Sequence, residues 1–505
     1  MLTWLLLAAA PSPAALPAPV QAFPGGNVLI LLADDLGTDK LDCYGNPAAQ
    51  FKPHTPAISA LAASGVLFRN AYSEPVCSPT RAAILTGRYG FRNGIGHIVV
   101  EGKPEFGPLS LSEVTLPEML AMAGAGYASA AIGKWHLGTS AVGGDCAPIL
   151  AGFGHWAGVP ENLFTVQEYM VWPKVAHAGL GACASAPPAF GLGCMPPLSP
   201  TYATTETVNE ALDWIAAQTE PWVCYVAFNT PHSPLHKPPD DLLYTPNPPP
   251  NPYPMHESPA PYLAAMIEAL DKEIGRLLAC MPPAQRAQTT VIFLGDNGTE
   301  SGSTVDGVSY PLVFPPYDPK KAKATLYQLG VNVPFIVSGK AVKQPGRESD
   351  ALVDVTDIFA TVADIAGVDL GALGFGCGGG NRALDGVSFL PILESPSAPS
   401  QRTFAFSERF EPNFDSGLPD RPIEQARERM IRNARFKLIV QARRPINNLW
   451  GSVDLVPIER FFDLQSDPLE DQDLLKLPPS SWPPEAAPAL ASLRHELAQL
   501  LTSCQ

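Results

Sequence analysis

The sequence predicts an α/β fold followed by a small antiparallel sheet with a packed helix, on three observations. Fully apolar runs of strand length alternate with amphipathic helical stretches through residue 294. Polar residues able to bind a metal or an anion recur directly after those runs. Beyond Ser400 the texture changes to short strand-like pieces closed by one helix.

The first run, Asn27 to Ala33, is apolar without alternation, as a strand buried on both faces of a parallel sheet must be. Thr55 is placed to cap a helix that has Pro56 at its first position, buries Ile58, Leu61 and Ala62, and stops at Gly65. Val66 to Tyr72 returns as a strand. The pattern repeats as helix Leu116 to Ala123 with strand Tyr127 to Ile132, helix Thr207 to Ala217 with strand Trp222 to Asn229, and helix Tyr262 to Leu278 with strand Thr289 to Leu294. Such alternation calls for a sheet with helices on its faces. The later pieces, Thr403 to Ser407, Met430 to Arg435, Phe436 to Ala442 and Phe461 to Leu464, precede a helix over Pro488 to Leu501. They read as a subdomain rather than an independent domain. The Pro-rich stretch 246–261 and the Gly-rich stretch 371–380 read as loops.

Composition narrows the class. A chain of 505 residues with 46% hydrophobic and 16% charged residues has the material for a large folded core. Its net charge of −16 argues against nucleic acid as a partner. Leu2 to Ala10 is apolar and is followed by Pro- and Ala-rich residues and a small-x-small stretch at Val20-Gln21-Ala22, the pattern of an export signal over residues 1–22. No later run reaches the roughly eighteen apolar residues of a membrane span. The expected organisation is a signal peptide at 1–22, a catalytic domain at 23–400 and a C-terminal subdomain at 401–505. Without Cys77, eight cysteines remain, an even set compatible with disulfides outside the cytoplasm. Cys183 and Cys194 share one loop and are the first expected pair, while Cys224 lies inside an apolar strand and reads as core. The sequon Asn297-Gly298-Thr299 falls on a candidate metal ligand, so a periplasmic or secreted protein is expected rather than a glycosylated one.

The chemistry collects at strand ends. Asp34-Asp35 follow the first strand, Lys134 and His136 the strand ending at Ile132, His232 the strand from Trp222, and Asp296-Asn297 the strand from Thr289. Open α/β sheets bind ligands outside the carboxyl ends of their strands, so the four segments would meet in one crevice. Asp34, Asp35, Asp296 and Asn297 offer hard oxygen ligands suited to Ca²⁺, with Mg²⁺ as the alternative, and lack the His/Cys set of a zinc site. Adjacent carboxylates in a cleft also need a cation to coexist.

The segment Cys77-Ser78-Pro79-Thr80-Arg81-Ala82-Ala83-Ile84-Leu85-Thr86-Gly87-Arg88 resembles the signature of the type I sulfatases, members of the alkaline phosphatase superfamily. The resemblance continues through the Asp-Asp and Asp-Asn pairs, Gly133-Lys134-Trp135-His136-Leu137-Gly138, Asn229 to His236, Leu384 to Pro391 and Phe462 to Pro468, nearly the whole mature chain. It implies a large mixed, mostly parallel sheet flanked by helices. It also implies hydrolysis of aryl or carbohydrate sulfates, and a formylglycine (3-oxoalanine) made from Cys77 by a formylglycine-generating enzyme. In the implied chemistry residue 77 joins the metal's ligands, and one hydroxyl of its hydrate attacks sulfur. Arg81 stabilises that hydrate; Lys134 and His136 hold and deprotonate it. His232 and Lys323 grip the sulfate and leaving oxygen, and one of them protonates the departing alcohol or phenol. Lys323 opens a segment in which Gln328, Leu329 and Asn332 replace the family's Glu, Gly and Arg, so Lys320 and Lys321 stay open as alternatives. His97 and His236 read as structural or ordinary polar histidines.

Two other readings share these residues. A phosphonate monoesterase or phosphodiesterase of the same superfamily would use the same geometry for phosphoryl transfer. An inactive secreted glycan-binding relative would be expected to have lost Cys77, a metal ligand or a basic residue, and this chain retains all of them.

Overall fold

The structure is a computed structural model describing residues 25–45, 52–179, 183, 198–245, 258–376, 382–417, 426–443 and 456–503. Among these residues a nine-stranded sheet forms the body of the molecule. Its strands are β1 (Asn27–Ala33), β2 (Gly65–Tyr72), β3 (Ala128–Lys134), β4 (His155–Val159), β5 (Val175–Ala178), β6 (Trp222–Ala227), β7 (Thr289–Gly295), β8 (Phe335–Gly339) and β9 (Arg347–Asp354). They lie in the order β9-β2-β8-β7-β1-β6-β3-β4-β5. The sheet is mixed and mostly parallel: β8 runs antiparallel to both β2 and β7, and β5 antiparallel to β4, while the other pairings are parallel. The carboxyl ends of β1, β2, β3, β6 and β7 therefore emerge at one edge.

The centre of the sheet shows why β1 carries no polar alternation. Val28, Ile30 and Leu32 pack into the core on one face, and Leu29, Leu31 and Ala33 into the core on the other. Helices α1 (Pro56–Ala63), α4 (Ala203–Ala216) and α5 (Ala260–Cys280) cover the second face. Helices α2 (Cys77–Thr86), α3 (Leu116–Met122) and α6 (Asp357–Ala366) cover the first. Gly133 has φ +99°, and a Cβ there would lie 2.0 Å from the Ala227 carbonyl oxygen, so only glycine lets β3 press against β6 just before Lys134.

A second sheet, β10 (Ala405–Glu411), β11 (Ala426–Arg432), β12 (Phe436–Arg443) and β13 (Val456–Asp463), is an antiparallel meander. On one side Phe436, Leu438 and Phe461 meet Leu490, Leu493 and Leu497 of α7 (Ala486–Thr502). On the other side Met430, Ile439 and Phe462 pack with Tyr72, Val331 and Leu352 of the main body.

Three local expectations are corrected. Lys134 is the last residue of β3 rather than a residue after it, because the ladder to β4 runs on to the Lys134–Val159 pair. Thr55 makes no cap; the Asp271 carboxylate of α5 accepts from Ala57 N at 3.0 Å and Ile58 N at 2.8 Å and satisfies the first turn of α1 from across the fold. Cys183 pairs with Cys146, Cα to Cα 5.7 Å, tying the turn before β4 to the chain that leaves β5. Cys224 is a fully buried core residue, as expected. Cys194, the export signal at 1–22, residues 246–257 of the Pro-rich stretch and residues 377–380 of the Gly-rich one lie outside the described residues.

Candidate active site

Asp34 and Asp35 leave the carboxyl end of β1, the middle strand of the crevice, and both are buried. Asp35 has φ +65°, a left-handed conformation that costs a non-glycine residue about 1 kcal/mol or more and is held here by surrounding contacts. Its backbone N–H donates to Asp296 Oδ1 at 3.0 Å, and its Oδ1 accepts from Asn297 Nδ2 at 2.8 Å. The loop after β7 thereby fixes the loop after β1.

Cys77 is the first residue of α2, and its Sγ lies 3.4 Å from Asp34 Oδ1. The Lys134 ammonium reaches Asp34 Oδ2 at 2.6 Å, with neither side chain exposed. Arg81, one turn into α2 and fully buried, pairs with Asp296 Oδ2 at 2.8 Å and donates to the Lys134 carbonyl at 3.0 Å. Of the three candidate lysines, Lys323 enters the crevice: its Nζ lies 2.7 Å from Asp35 Oδ2 and 3.2 Å from Glu300. Lys321 instead holds the carbonyls of Leu469 and Glu470, and Lys320 is exposed. His232 Nε2 stands 3.8 Å from Asp35 Oδ2, oriented by a 2.7 Å contact between Nδ1 and the Ser233 carbonyl. His136, with φ +58°, is buried and has no hydrogen-bond partner at Nδ1.

The electrostatics follow from burial and these pairings. Burial alone would raise the Asp35 carboxyl, but the Lys323 ammonium and His232 outweigh it and hold the group well below the usual carboxylate range. Burial pushes the Cys77 thiol well above its ordinary value; Lys134 opposes, and Asp34 and Asp296 add to the rise. An unmodified Cys77 is thus a protonated thiol, the opposite of the depressed thiolate that cysteine nucleophiles need. Burial and then Lys134 and Arg81 hold His136 well below its ordinary value. His232 falls to about 4, by burial against the opposing Asp35.

The ligand atoms of Asp34, Asp35, Cys77 and His232 all lie within 4.8 Å of one another, the spacing of a metal shell. Asp296 is outside that group; its oxygens accept from Arg81 and the Asp35 N–H. Asp34 and Asp35 converge beside the buried Asn297 Oδ1, which has no hydrogen-bond donor among the described residues, and these carboxylate and amide oxygens suit a hard divalent cation. Lys134 and Lys323 contact the same two carboxylates.

All six expected catalytic residues and both acidic pairs meet in this crevice. His236 does not: its Nε2 meets the Tyr202 hydroxyl at 3.0 Å and its Nδ1 the Pro234 carbonyl at 2.8 Å, leaving it structural. His97 stacks on Phe106 and contacts Arg409. Glu300 escaped notice in the sequence, although it follows Asn297 by three residues in the same strand-end loop, where its position was the available signal.

Comparison with known proteins agrees with this geometry. The family model described as Sulfatase matches residues 26–368. Human N-acetylgalactosamine-6-sulfatase is 29% identical over 382 residues, covering 73% of this chain and 65% of the relative, so the match spans about two thirds of that protein's length. Mouse steryl-sulfatase is 30% identical, covering 80% of this chain and 69% of the relative. The crystal structure of the PsFucS1 sulfatase from Pseudoalteromonas sp. superposes with a TM-score of 0.67 at 22% identity, covering 94% of this chain and 90% of that one, a likeness of fold. With the model match running from the strand that carries Asp34-Asp35 to beyond the loop that carries Lys323, the chain belongs to the sulfatase family.

Proposed function

We propose that the protein is a sulfuric ester hydrolase of aryl or carbohydrate sulfates whose nucleophile is made from Cys77. The observation that carries this reading is the placement of Cys77 Sγ at the first turn of α2, 3.4 Å from Asp34 and facing the buried Lys134. Ca²⁺ would be held by Asp34, Asp35, Asp296, Asn297 and residue 77, with Mg²⁺ as the alternative, and supplies positive charge against the sulfuryl oxygens. Formylglycine, formed from Cys77 by a formylglycine-generating enzyme, supplies the attacking hydroxyl.

The chain's own residues do the rest. Arg81 and Lys134, both buried, keep fixed positive charge under the position where negative charge develops. The first turn of α2 points free backbone N–H groups the same way, with Pro79 where a missing donor costs least. His136, neutral and unpartnered at Nδ1, is the base on this wall. Lys323 and His232 flank Asp35 at the mouth, where the leaving oxygen departs, and one of them delivers its proton. We also infer export, from the apolar segment Leu2 to Ala10; among the described residues no helix is long and apolar enough to cross a membrane.

The test is mass spectrometry of the tryptic peptide containing Cys77, from protein co-expressed with the formylglycine-generating enzyme, alongside hydrolysis of an aryl sulfate and of matched phosphate mono- and diesters with Ca²⁺. Conversion of Cys77 together with sulfate release that Cys77→Ala abolishes is the expected result. Faster turnover of the phosphate esters would favour phosphoryl transfer. An unmodified Cys77 without turnover would leave a binding protein.

A further inference from the structure

Beside Asp35 the crevice opens into a cavity of about 200 Å³. That is below the size of pockets for drug-sized ligands, about 300 Å³ and upward, and leaves room for one ring rather than two. Its lining has two characters. Leu235, Leu263 and Leu312, all buried, form an apolar side. Ser233, Ser303 and Thr304 line the other side, the last two from the first strand of an antiparallel hairpin, Gly302–Val305 with Val308–Pro311; as strand neighbours they point to opposite faces, and the Thr304 hydroxyl meets Ser309 Oγ at 3.1 Å.

Among the described lining residues there is no lysine or arginine; Glu300 adds a carboxylate at the wall, and Asp35 is paired with Lys323. The nearest site ammonium, Lys323, is already shared between Asp35 and Glu300. Arg409, across the Lys323 loop, donates to the Ala324 carbonyl at 3.0 Å and lies 3.5 Å from Glu411. A second sulfate or a carboxylate on the substrate would enter the cavity beside Glu300 with no further cation to receive it. A ring with an apolar C–H face and a hydroxylated edge matches both sides of the lining.

Resting on the sulfatase reading above, we propose that this cavity is the leaving-group subsite and selects a neutral, singly sulfated sugar ring over rings that carry a second anionic group. The hairpin then sets specificity, whichever of Ser303 and Thr304 faces the cavity reading the hydroxylated edge.

The experiment compares kcat/KM of the matured enzyme on a panel of hexose and N-acetylhexosamine monosulfates, the corresponding disulfates, and 4-nitrophenyl sulfate. The same panel is run on Thr304→Lys and Ser303→Lys, whose melting temperatures report intact folding. The best monosulfate is expected to exceed its disulfate by tenfold or more, and the lysine variant whose side chain faces the cavity to narrow that ratio by about tenfold. Equal or better turnover of disulfates by the parent enzyme overturns the inference, as does a ratio that neither folded variant moves. Turnover of 4-nitrophenyl sulfate with no sugar monosulfate accepted overturns it while leaving the sulfatase reading standing. No turnover of any sulfate ester by enzyme converted at residue 77 removes both.

Discussion

Lys134 Nζ lies 2.6 Å from Asp34 Oδ2, and Cys77 Sγ lies 3.4 Å from the other oxygen of the same carboxylate. One buried aspartate thus touches both the proposed precursor of the nucleophile and the ammonium beside it. Breaking a buried pair by removing one partner costs about 3–5 kcal/mol where the other charge is left alone, and less here because Arg81 stays 3.7 Å from Asp34 Oδ1. Lys134→Met is expected to lower the urea midpoint accordingly in calcium-free buffer, and to abolish sulfate release. An unchanged midpoint would mean that Asp34 is compensated from elsewhere.

Calcium binding has a readout apart from activity. A ligand bound only by the folded state at a hundredfold excess over its Kd adds about 2.7 kcal/mol. Asn297 Oδ1 is buried with no donor among the described residues, which is why it is proposed as a ligand. Calcium should raise the melting temperature of the parent protein, and Asn297→Ala should lose at least half of that rise. Equal rises in both proteins would place the ion elsewhere.

The strand-end carboxylates were legible because each motif is local: an apolar run followed by Asp-Asp or Asp-Asn needs no knowledge of partners. What stayed out of reach is long-range. Asp271 caps α1 from 213 positions away, so Thr55 looked like the cap. Nothing local says which of three lysines reaches Asp35, since the choice depends on Lys321 being anchored to a loop about 150 residues downstream. Glu300 lacked a partner in the sequence for the same reason, as its meaning comes from Lys323 folding back over the end of β7.

The join between the two sheets predicts a pH dependence. Glu74, three residues before Cys77, is fully buried and accepts from the Glu408 N–H at 2.7 Å. Burial, then the charges of Glu408 and Asp354, raise its carboxyl well above the ordinary 4.5. The folded state therefore holds a proton that the unfolded chain releases near pH 4.5. This contribution is fully present below that pH and is lost as pH rises through the folded value. Asp354, pushed up to about 7 by burial despite Arg402, adds a loss of the same sign. Glu74→Gln keeps the acceptor and removes the ionisation. Its urea midpoint should exceed that of the parent at pH 8 and converge with it at pH 4.5; a parent curve that rises between these values would contradict the assignment.

The Cys146–Cys183 bridge closes a separation of 37 residues. Cross-linking a loop of that length removes unfolded-chain entropy worth about 4 kcal/mol, less any strain in the folded state. The bridge also restrains the outer strands, because Cys146 precedes β4 and Cys183 follows β5, which among the described residues is the edge strand and pairs with β4 alone. Non-reducing peptide mapping should recover the two cysteines in one linked fragment, and the Cys146→Ala/Cys183→Ala double variant should lose about 2–4 kcal/mol of stability. The crevice is built on β1, β2, β3, β6 and β7 rather than on this edge. Sulfate release per folded molecule should therefore survive the loss. If the mapping links Cys183 to Cys194 instead, the edge is held by its ladder to β4 and not by a covalent tie to the turn before that strand.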